Sequence, residues 1–154
     1  LSQIAIKNMI KRGGGTVVFI SSVAGRIPLP FMMPYSMTKF AMSAAAAGLR
    51  KEMKTLGKGI RVSVVEPGPY HTGFNQKLSD SRFAWMKEES MFSKAQIDKM
   101  KVDTDKQFRL TELLSTSSIV RKVVSATEAK NPKLRYVAPW HIAFFVRLVR
   151  IFGV

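Results

Sequence analysis

The sequence of 154 residues has no cysteine and no long apolar run. The lack of cysteine excludes disulfide bonds and thiolate zinc sites. Every apolar stretch is interrupted by Lys, Arg, Pro or Gly well before the roughly 20 residues that a membrane-spanning helix needs. His71 and His141 have no partners at metal-binding spacing, so we expect no metal site. No charged-then-apolar signal segment opens the sequence, and we expect a cytoplasmic protein that can lie at the periphery of a membrane.

Acidic residues are few, since 25 Lys and Arg stand against 10 Asp and Glu and give a formal net charge of +15. Such a charge favours anionic partners, which include nucleic acid, a membrane surface and a phosphate-bearing cofactor. The basic residues are spread along the chain and are not interleaved with aromatic residues as in single-strand binders. We therefore expect no nucleic-acid partner.

The chain begins with Leu1 rather than methionine, and residues 1–12 already have the apolar spacing of the tail of an amphipathic helix. The apolar fraction of 46% is that of an ordinary globular protein. We expect a fragment that starts partway through a larger domain, with a naturally short chain as the alternative.

Strand and helix patterns alternate in the first half of the chain. Residues 16–20 form a short β-branched apolar run, which is typical of a strand buried on both faces of a parallel sheet. Residues 21–34 contain three prolines and are predicted to be a loop. Residues 35–56 have a helical pattern, and residues 60–65 form a second apolar strand. This order predicts a right-handed parallel crossover.

Residues 69–110 have no clear period, and we predict the least regular part of the chain there, with a short helix starting at the capping box Ser93–Gln96. This segment follows a parallel strand and is rich in Met and aromatic residues, so we predict that residues 73–110 are a substrate-binding insertion or lid. An ordinary small core is the alternative. The later elements are predicted to be a helix, a third strand and a terminal amphipathic helix, at residues 115–130, 134–138 and 139–154.

Two helices have features that indicate partners. The run of small side chains at residues 44–48 predicts a homo-oligomer through the helix at residues 35–56, although high helix propensity explains the same run. The terminal helix is too short to span a membrane, and residues 140–154 could make a peripheral contact with an anionic one. Packing against missing sequence or within an oligomer are the alternatives.

The chemistry of the chain centres on Tyr35 and Lys39, which lie four residues apart and so share one face of a helix. Ser22 comes thirteen residues before Tyr35 and directly follows a buried strand, whereas Ser21 is predicted to be structural. A tyrosine phenol has an ordinary pKa of about 10. A neighbouring ammonium and a helix N-terminus both stabilise the phenolate. The three side chains therefore predict a proton-transfer site.

Three motifs together resemble those of the short-chain dehydrogenase/reductase (SDR) family. They are the strand followed by Ser21-Ser22-x-x-Gly25, then Tyr35-Ser36-Met37-Thr38-Lys39, then Pro67-Gly68-Pro69-Tyr70-His71-Thr72. The resemblance is specific from about Gly14 to Phe74, and beyond this it depends on the order of the elements.

The resemblance implies a doubly wound (Rossmann-type) parallel α/β sheet that lacks its amino-terminal strands in this chain. Residues 1–154 would be the carboxyl-terminal part of one NAD(P)-binding domain. The reaction it implies is hydride transfer between NAD or NADP and an alcohol or carbonyl. The implied catalytic residues are Ser22, Tyr35 and Lys39. The implied cofactor-binding residues are Tyr35, Lys39, Pro67, Gly68, Tyr70 and Thr72.

The chain also departs from the family pattern. The glycine-rich dinucleotide fingerprint is absent, and Asn8 is too close to Ser22 to be the family's catalytic asparagine. We therefore expect little turnover from this chain alone. The small molecule that reacts is expected to be a lipophilic alcohol or ketone, such as a steroid, retinoid or fatty-acyl compound. The alternatives are a 3-oxoacyl thioester reductase and a truncated, non-catalytic interaction module that associates through helices or its basic tail.

Overall fold

The computed structural model describes residues 2–153. Leu1 and Val154, the end residues of the first and last predicted helices, lie outside the described residues. The chain forms two compact units. We call residues 1–68 with 117–154 the sheet unit and residues 69–116 the helical unit, and each is described by itself.

The sheet unit contains a three-stranded parallel sheet in the order β1-β2-β3. Its strands are β1 (Gly15–Ile20), β2 (Ile60–Pro67) and β3 (Arg135–Ala138). Its helices are α1 (Ser2–Lys11), α2 (Met33–Leu56), α5 (Ser117–Glu128) and α6 (Trp140–Phe152). The predicted α/β class and the parallel pairing of the first two strands are confirmed.

The core of the sheet unit lies where α1 and α2 pack on the central strand β2. Ile6, Ala46, Ile60, Val62 and Val64 form the buried cluster. The close-packed, β-branched side chains of β2 are buried on both faces, as expected for a central parallel strand. The strand thereby fixes the position of its carboxyl end, where ligands bind in parallel sheets.

Helix α2 begins at Met33, two residues before the predicted start, and Pro34 lies in its first turn. A proline is tolerated there because its missing N–H would have no partner within the helix. The helix ends at Gly57, whose φ of 68° lies in the left-handed region and whose N–H donates to the Met53 carbonyl. Tyr35 and Lys39 therefore lie in the first turns of a long, well-terminated helix.

The helical unit corrects one prediction. We expected residues 69–110 to be the least regular part of the chain, but most of them form α3 (Phe74–Glu89) and α4 (Lys94–Thr111). Ser93 and Gln96 do form a capping box, and the helix that starts there is long. The helical period was hidden because the unit has only a small buried core, made by Phe83, Met86 and Ile97.

Polar contacts supply much of what joins the two helices. Lys101 of α4 forms ion pairs with Asp80 of α3 and with Asp105 one turn along α4. The pair with Asp80 ties α3 to α4 without leaving an apolar stripe in the sequence. Among residues 2–153, no helix is both long enough and apolar enough to cross a membrane.

Candidate active site

The carboxyl end of β1 leads directly into Ser21 and Ser22. Ser22 is buried, and its Oγ accepts a hydrogen bond of 3.1 Å from the Ala24 N–H. It thereby caps a short 3₁₀ turn at Val23–Gly25. An Oγ that accepts this bond still has its own proton to donate.

Lys39 brings α2 together with the end of β1. Its Nζ lies 5.6 Å from the centroid of the Tyr35 ring, within the range of a cation–π contact. The same Nζ donates a hydrogen bond of 3.4 Å to the carbonyl oxygen of Ile20, two residues before Ser22. The structure therefore joins Tyr35 and Lys39 on one face of α2 and places Lys39 against the strand end that carries Ser22.

Ser21 has the structural role predicted for it. Its Oγ donates to the carbonyl oxygen of Lys39 at 3.0 Å and lies 3.0 Å from Ser43 Oγ. Gly25 is packed into the same place, because a Cβ there would lie 2.6 Å from the Lys39 carbonyl oxygen. These contacts fix the helix backbone at Lys39 relative to the end of β1.

A buried carboxylate lies behind this contact and was not identified from the sequence. Glu66, at the end of β2, has a fully buried side chain that pairs with Arg26 at 3.1 Å and also with Arg135. Ser43 Oγ lies 3.5 Å from the same carboxylate and 3.0 Å from Ser21 Oγ, so its one proton can go to either. One feature of the sequence could have identified it: Glu66 is an acidic residue at the end of an otherwise apolar strand. A charge buried in such a strand needs a cationic partner, so an ion pair could have been expected there.

Arg26 and Arg135 share the single carboxylate of Glu66, and the pKa of Arg26 reflects its surroundings. Burial lowers the pKa of Arg26, while the charge of Glu66 opposes that change. Arg135 and, more weakly, Arg150 of α6 lower the pKa further through charge repulsion. The ion pairs of Glu66 with Arg26 and Arg135 join the loop after Ser22 to β2 and β3.

Pro67 and Gly68 lie at the carboxyl end of β2, beside β3. Pro67 pairs with Ala138 in the sheet register, and the Gly68 N–H donates to the Ala138 carbonyl oxygen at 2.8 Å. A Cβ on Gly68 would lie 3.0 Å from Pro139 Cδ, so the glycine permits close packing there.

Tyr70 and Thr72 belong to the helical unit. Tyr70 is buried and forms a parallel β-bridge with Leu113, and the Leu113 N–H donates to the Pro69 carbonyl oxygen at 3.3 Å. Thr72 is exposed, and its N–H donates to the Tyr70 carbonyl oxygen at 2.9 Å. The segment is therefore held in a fixed turn.

The same turn is attached to a second carboxylate that sequence reasoning did not identify. The buried side chain of Glu112 accepts bonds from Asn75 at 2.7 Å and from Gln76, and it lies 2.8 Å from His71 Nδ1. Burial by itself raises the pKa of Glu112, but the bonds from Asn75, His71 and Gln76 outweigh burial and lower it. Among residues 2–153, no three His, Cys, Asp or Glu side chains cluster as metal ligands would.

Several known proteins resemble this chain over most of its length. The family model described as short chain dehydrogenase matches residues 1–82. The chain belongs to the short-chain dehydrogenase family. This family membership was predicted from the three motifs and is confirmed.

Two curated relatives extend the match beyond those residues. An uncharacterized oxidoreductase of Escherichia coli, YbbO, is 31% identical over 152 residues, which cover 97% of this chain and 50% of YbbO. Human 17-beta-hydroxysteroid dehydrogenase type 6 is 28% identical over 144 residues, which cover 89% of this chain and 44% of that protein. The chain thus spans about half the length of the curated relatives that it matches.

Solved structures show the same fold. A short-chain dehydrogenase from Streptomyces avermitilis superposes with a TM-score of 0.68 at 22% identity and covers 99% of this chain and 53% of its own. A family member from Burkholderia phymatum, solved in complex with NAD, also has a TM-score of 0.68, at 18% identity over 93% of this chain and 49% of its own. The Rossmann-type parallel fold predicted from the sequence is therefore confirmed.

Proposed function

We propose that the protein that carries this chain is an NAD(P)-dependent oxidoreductase that interconverts an alcohol and a carbonyl. The observation that carries the proposal is the position of Lys39, whose ammonium lies 5.6 Å from the Tyr35 ring centroid and contacts the strand end before Ser22. A phenol, an ammonium and a hydroxyl are the groups that proton transfer to a carbonyl oxygen requires.

A bound nicotinamide cofactor supplies the hydride for reduction or accepts it in oxidation. In the reducing direction the Tyr35 hydroxyl donates its proton to the substrate oxygen, and in the oxidising direction the phenolate takes that proton back. The Lys39 ammonium stabilises the phenolate through its charge. Ser22 Oγ, oriented by its bond from the Ala24 N–H, donates a hydrogen bond to the substrate oxygen as negative charge develops, and keeps its proton.

We assign the nicotinamide ribose of that cofactor to Lys39, in the sheet unit, and the carboxamide to the turn containing Tyr70 and Thr72, in the helical unit, with Pro67 and Gly68 between them in the chain. The loop from β1 to α2 contains two prolines and one glycine, which does not make a phosphate cradle. We therefore predict little or no NAD(P)H-linked turnover from residues 1–154 alone.

That prediction has a direct test. Residues 1–154 are purified and mixed with NADH or NADPH and a panel of ketones, and the loss of reduced cofactor is followed by absorbance. Carbonyl reduction that disappears in Tyr35→Phe would contradict the prediction for the isolated chain. Absence of turnover both here and in the complete protein would instead favour the non-catalytic interaction module.

The substrate class is proposed to be a lipophilic alcohol or ketone, such as a steroid, retinoid or fatty-acyl compound. The helical unit, which includes the proposed insertion or lid at residues 73–110, supports this class because it exposes Phe74, Trp85, Met91 and Phe92. One relative is named for hydroxysteroid dehydrogenation. A 3-oxoacyl thioester reductase is the alternative, and comparing kcat/KM for a steroid ketone and a 3-oxoacyl thioester in the complete protein separates the two.

The oligomer contact is proposed to lie on α2. Ala44, Ala45 and Gly48 are exposed, and the space around Gly48 is open to 4 Å. Small side chains allow the backbone of a second helix to approach closely. Ala45→Glu should shift the protein to a smaller species in sedimentation velocity, with Lys54→Glu, exposed on another side of α2, as the control. An unchanged sedimentation coefficient would place the contact elsewhere.

A further inference from the structure

Helix α6 presents a largely apolar face to solvent, in which His141 is the exposed polar residue. Trp140 and Phe152, at its two ends, are 78% and 82% exposed. Val146, on the opposite side, is buried, and α6 packs against β3. The large side chains that remain exposed along the helix are Trp140, Phe144, Phe145, Leu148, Ile151 and Phe152. Contiguous apolar patches on a protein surface mark sites that bind a protein, a membrane or a ligand.

The charges on α6 are all of one sign. The helix contains no Asp or Glu, and both Arg147 and Arg150 are exposed. The charge of Arg150 also acts on Arg26, which already shares the one carboxylate of Glu66 with Arg135. An acidic partner would therefore find unbalanced positive charge beside the apolar face.

We propose that this face of α6 docks on a lipid surface with anionic headgroups. The helix of 13 residues is about 20 Å long at ~1.5 Å per residue, whereas a hydrocarbon core is about 30 Å thick. It therefore lies along the interface, with its aromatic side chains between the acyl chains and its arginines among the headgroups. Trp140 is the residue type that interfaces favour at such a position.

A second copy of the chain fits this face less well. Two α6 helices placed face to face would bring four exposed arginines together with no acidic residue on either helix. The chain as a whole carries a formal charge of +15, so the repulsion extends beyond the helix. Anionic lipids supply both the apolar phase and the opposite charge.

The test measures binding of the chain to vesicles by sedimentation and needs no enzymatic turnover. Vesicles of phosphatidylcholine mixed with phosphatidylglycerol should bind the chain, and added salt should weaken that binding. Arg147→Gln combined with Arg150→Gln should lower binding roughly tenfold or more. Its matched control, Lys51→Gln combined with Lys54→Gln on the exposed side of α2, should lower it much less.

A second pair of variants tests what the apolar side chains of α6 contribute to vesicle binding. Phe144→Ser combined with Phe145→Ser should abolish binding, whereas Met91→Ser combined with Leu114→Ser, which changes two exposed apolar residues in the helical unit, should keep it. In a Trp85→Phe background Trp140 is the one remaining tryptophan. Bromine-labelled lipids should then quench its fluorescence, and circular dichroism checks that each variant is folded.

Several results would overturn the proposal. They are failure of the chain to bind the mixed vesicles, equal binding to pure phosphatidylcholine, and equal losses in the α6 variants and their controls. If the phenylalanine variant instead dissociated a dimer in lipid-free sedimentation, a second copy would be the occupant of the face. If it failed to fold, the arginine pair and Trp140 quenching would still decide the question.

Discussion

Replacing Glu66 by glutamine should destabilise the sheet unit. The carboxylate is completely buried and pairs with both Arg26 and Arg135. Glutamine keeps the shape and one oxygen acceptor but leaves two guanidinium groups without a counter-charge. Removing one partner of a buried ion pair costs about 3–5 kcal/mol, and we expect the lower end of that range here. For a chain of this size the loss corresponds to a fall in Tm of roughly 6–12 °C.

The assay is a urea titration followed by far-ultraviolet circular dichroism, with hydrogen exchange of the β2 amides to report the sheet unit. Glu52→Gln, on the exposed side of α2, is the matched control. Adding Arg26→Gln to Glu66→Gln should cost less than the sum of the two single changes, because it removes one stranded charge. An equal transition midpoint for Glu66→Gln and Glu52→Gln would refute the reasoning.

Three further predictions concern the parts of the candidate site. Gly25→Ala should lower the urea midpoint because its Cβ would lie 2.6 Å from the Lys39 carbonyl oxygen. Gly48→Ala has open space around the new methyl group and should raise the free energy of unfolding by about 0.5–1 kcal/mol. Equal effects of the two would contradict this packing. Because its pKa is lowered, Glu112 contributes stability above its ordinary pKa and loses that contribution as the pH falls below it. Urea midpoints of the wild type and Glu112→Gln should therefore converge below about pH 4.5, and parallel curves would show that the carboxylate is not stabilised. In the complete protein, Lys39→Ala should weaken NAD(P)H binding and lower turnover together, and a fluorescence titration that shows unchanged affinity would remove Lys39 from the cofactor site.

The sheet and its helices could be predicted because their signals are local. The β-branched run at residues 16–20 and the helical pattern that contains Tyr35 and Lys39 each specify one element type over a short window. Parallel pairing then follows from the order of those elements. The start of α2 was predicted two residues too late because Pro34 was counted as part of the loop. A proline in the first turn is compatible with a helix as well as with a loop.

Contacts between distant residues could not be predicted in this way. Glu66 and Arg135 are separated by 69 positions, and Glu112 is 41 positions from His71. The sequence shows the neighbours of Glu66 and Glu112 along the chain, but it does not show which distant side chain contacts each carboxylate. The helices α3 and α4 were missed for a related reason, since ion pairs such as Lys101 with Asp80 join them across the unit rather than along one apolar stripe.

The measurement that tests the central claim most directly is NAD(P)H-linked carbonyl reduction by the complete protein that carries this chain, compared between the wild type and Tyr35→Phe. Loss of the phenolic proton should lower turnover by about 10²-fold or more while cofactor affinity stays nearly unchanged, because the ring and Lys39 remain in place. Wild-type turnover in Tyr35→Phe would contradict the assignment of Tyr35 as the proton donor and, with it, the mechanism built on Ser22, Tyr35 and Lys39.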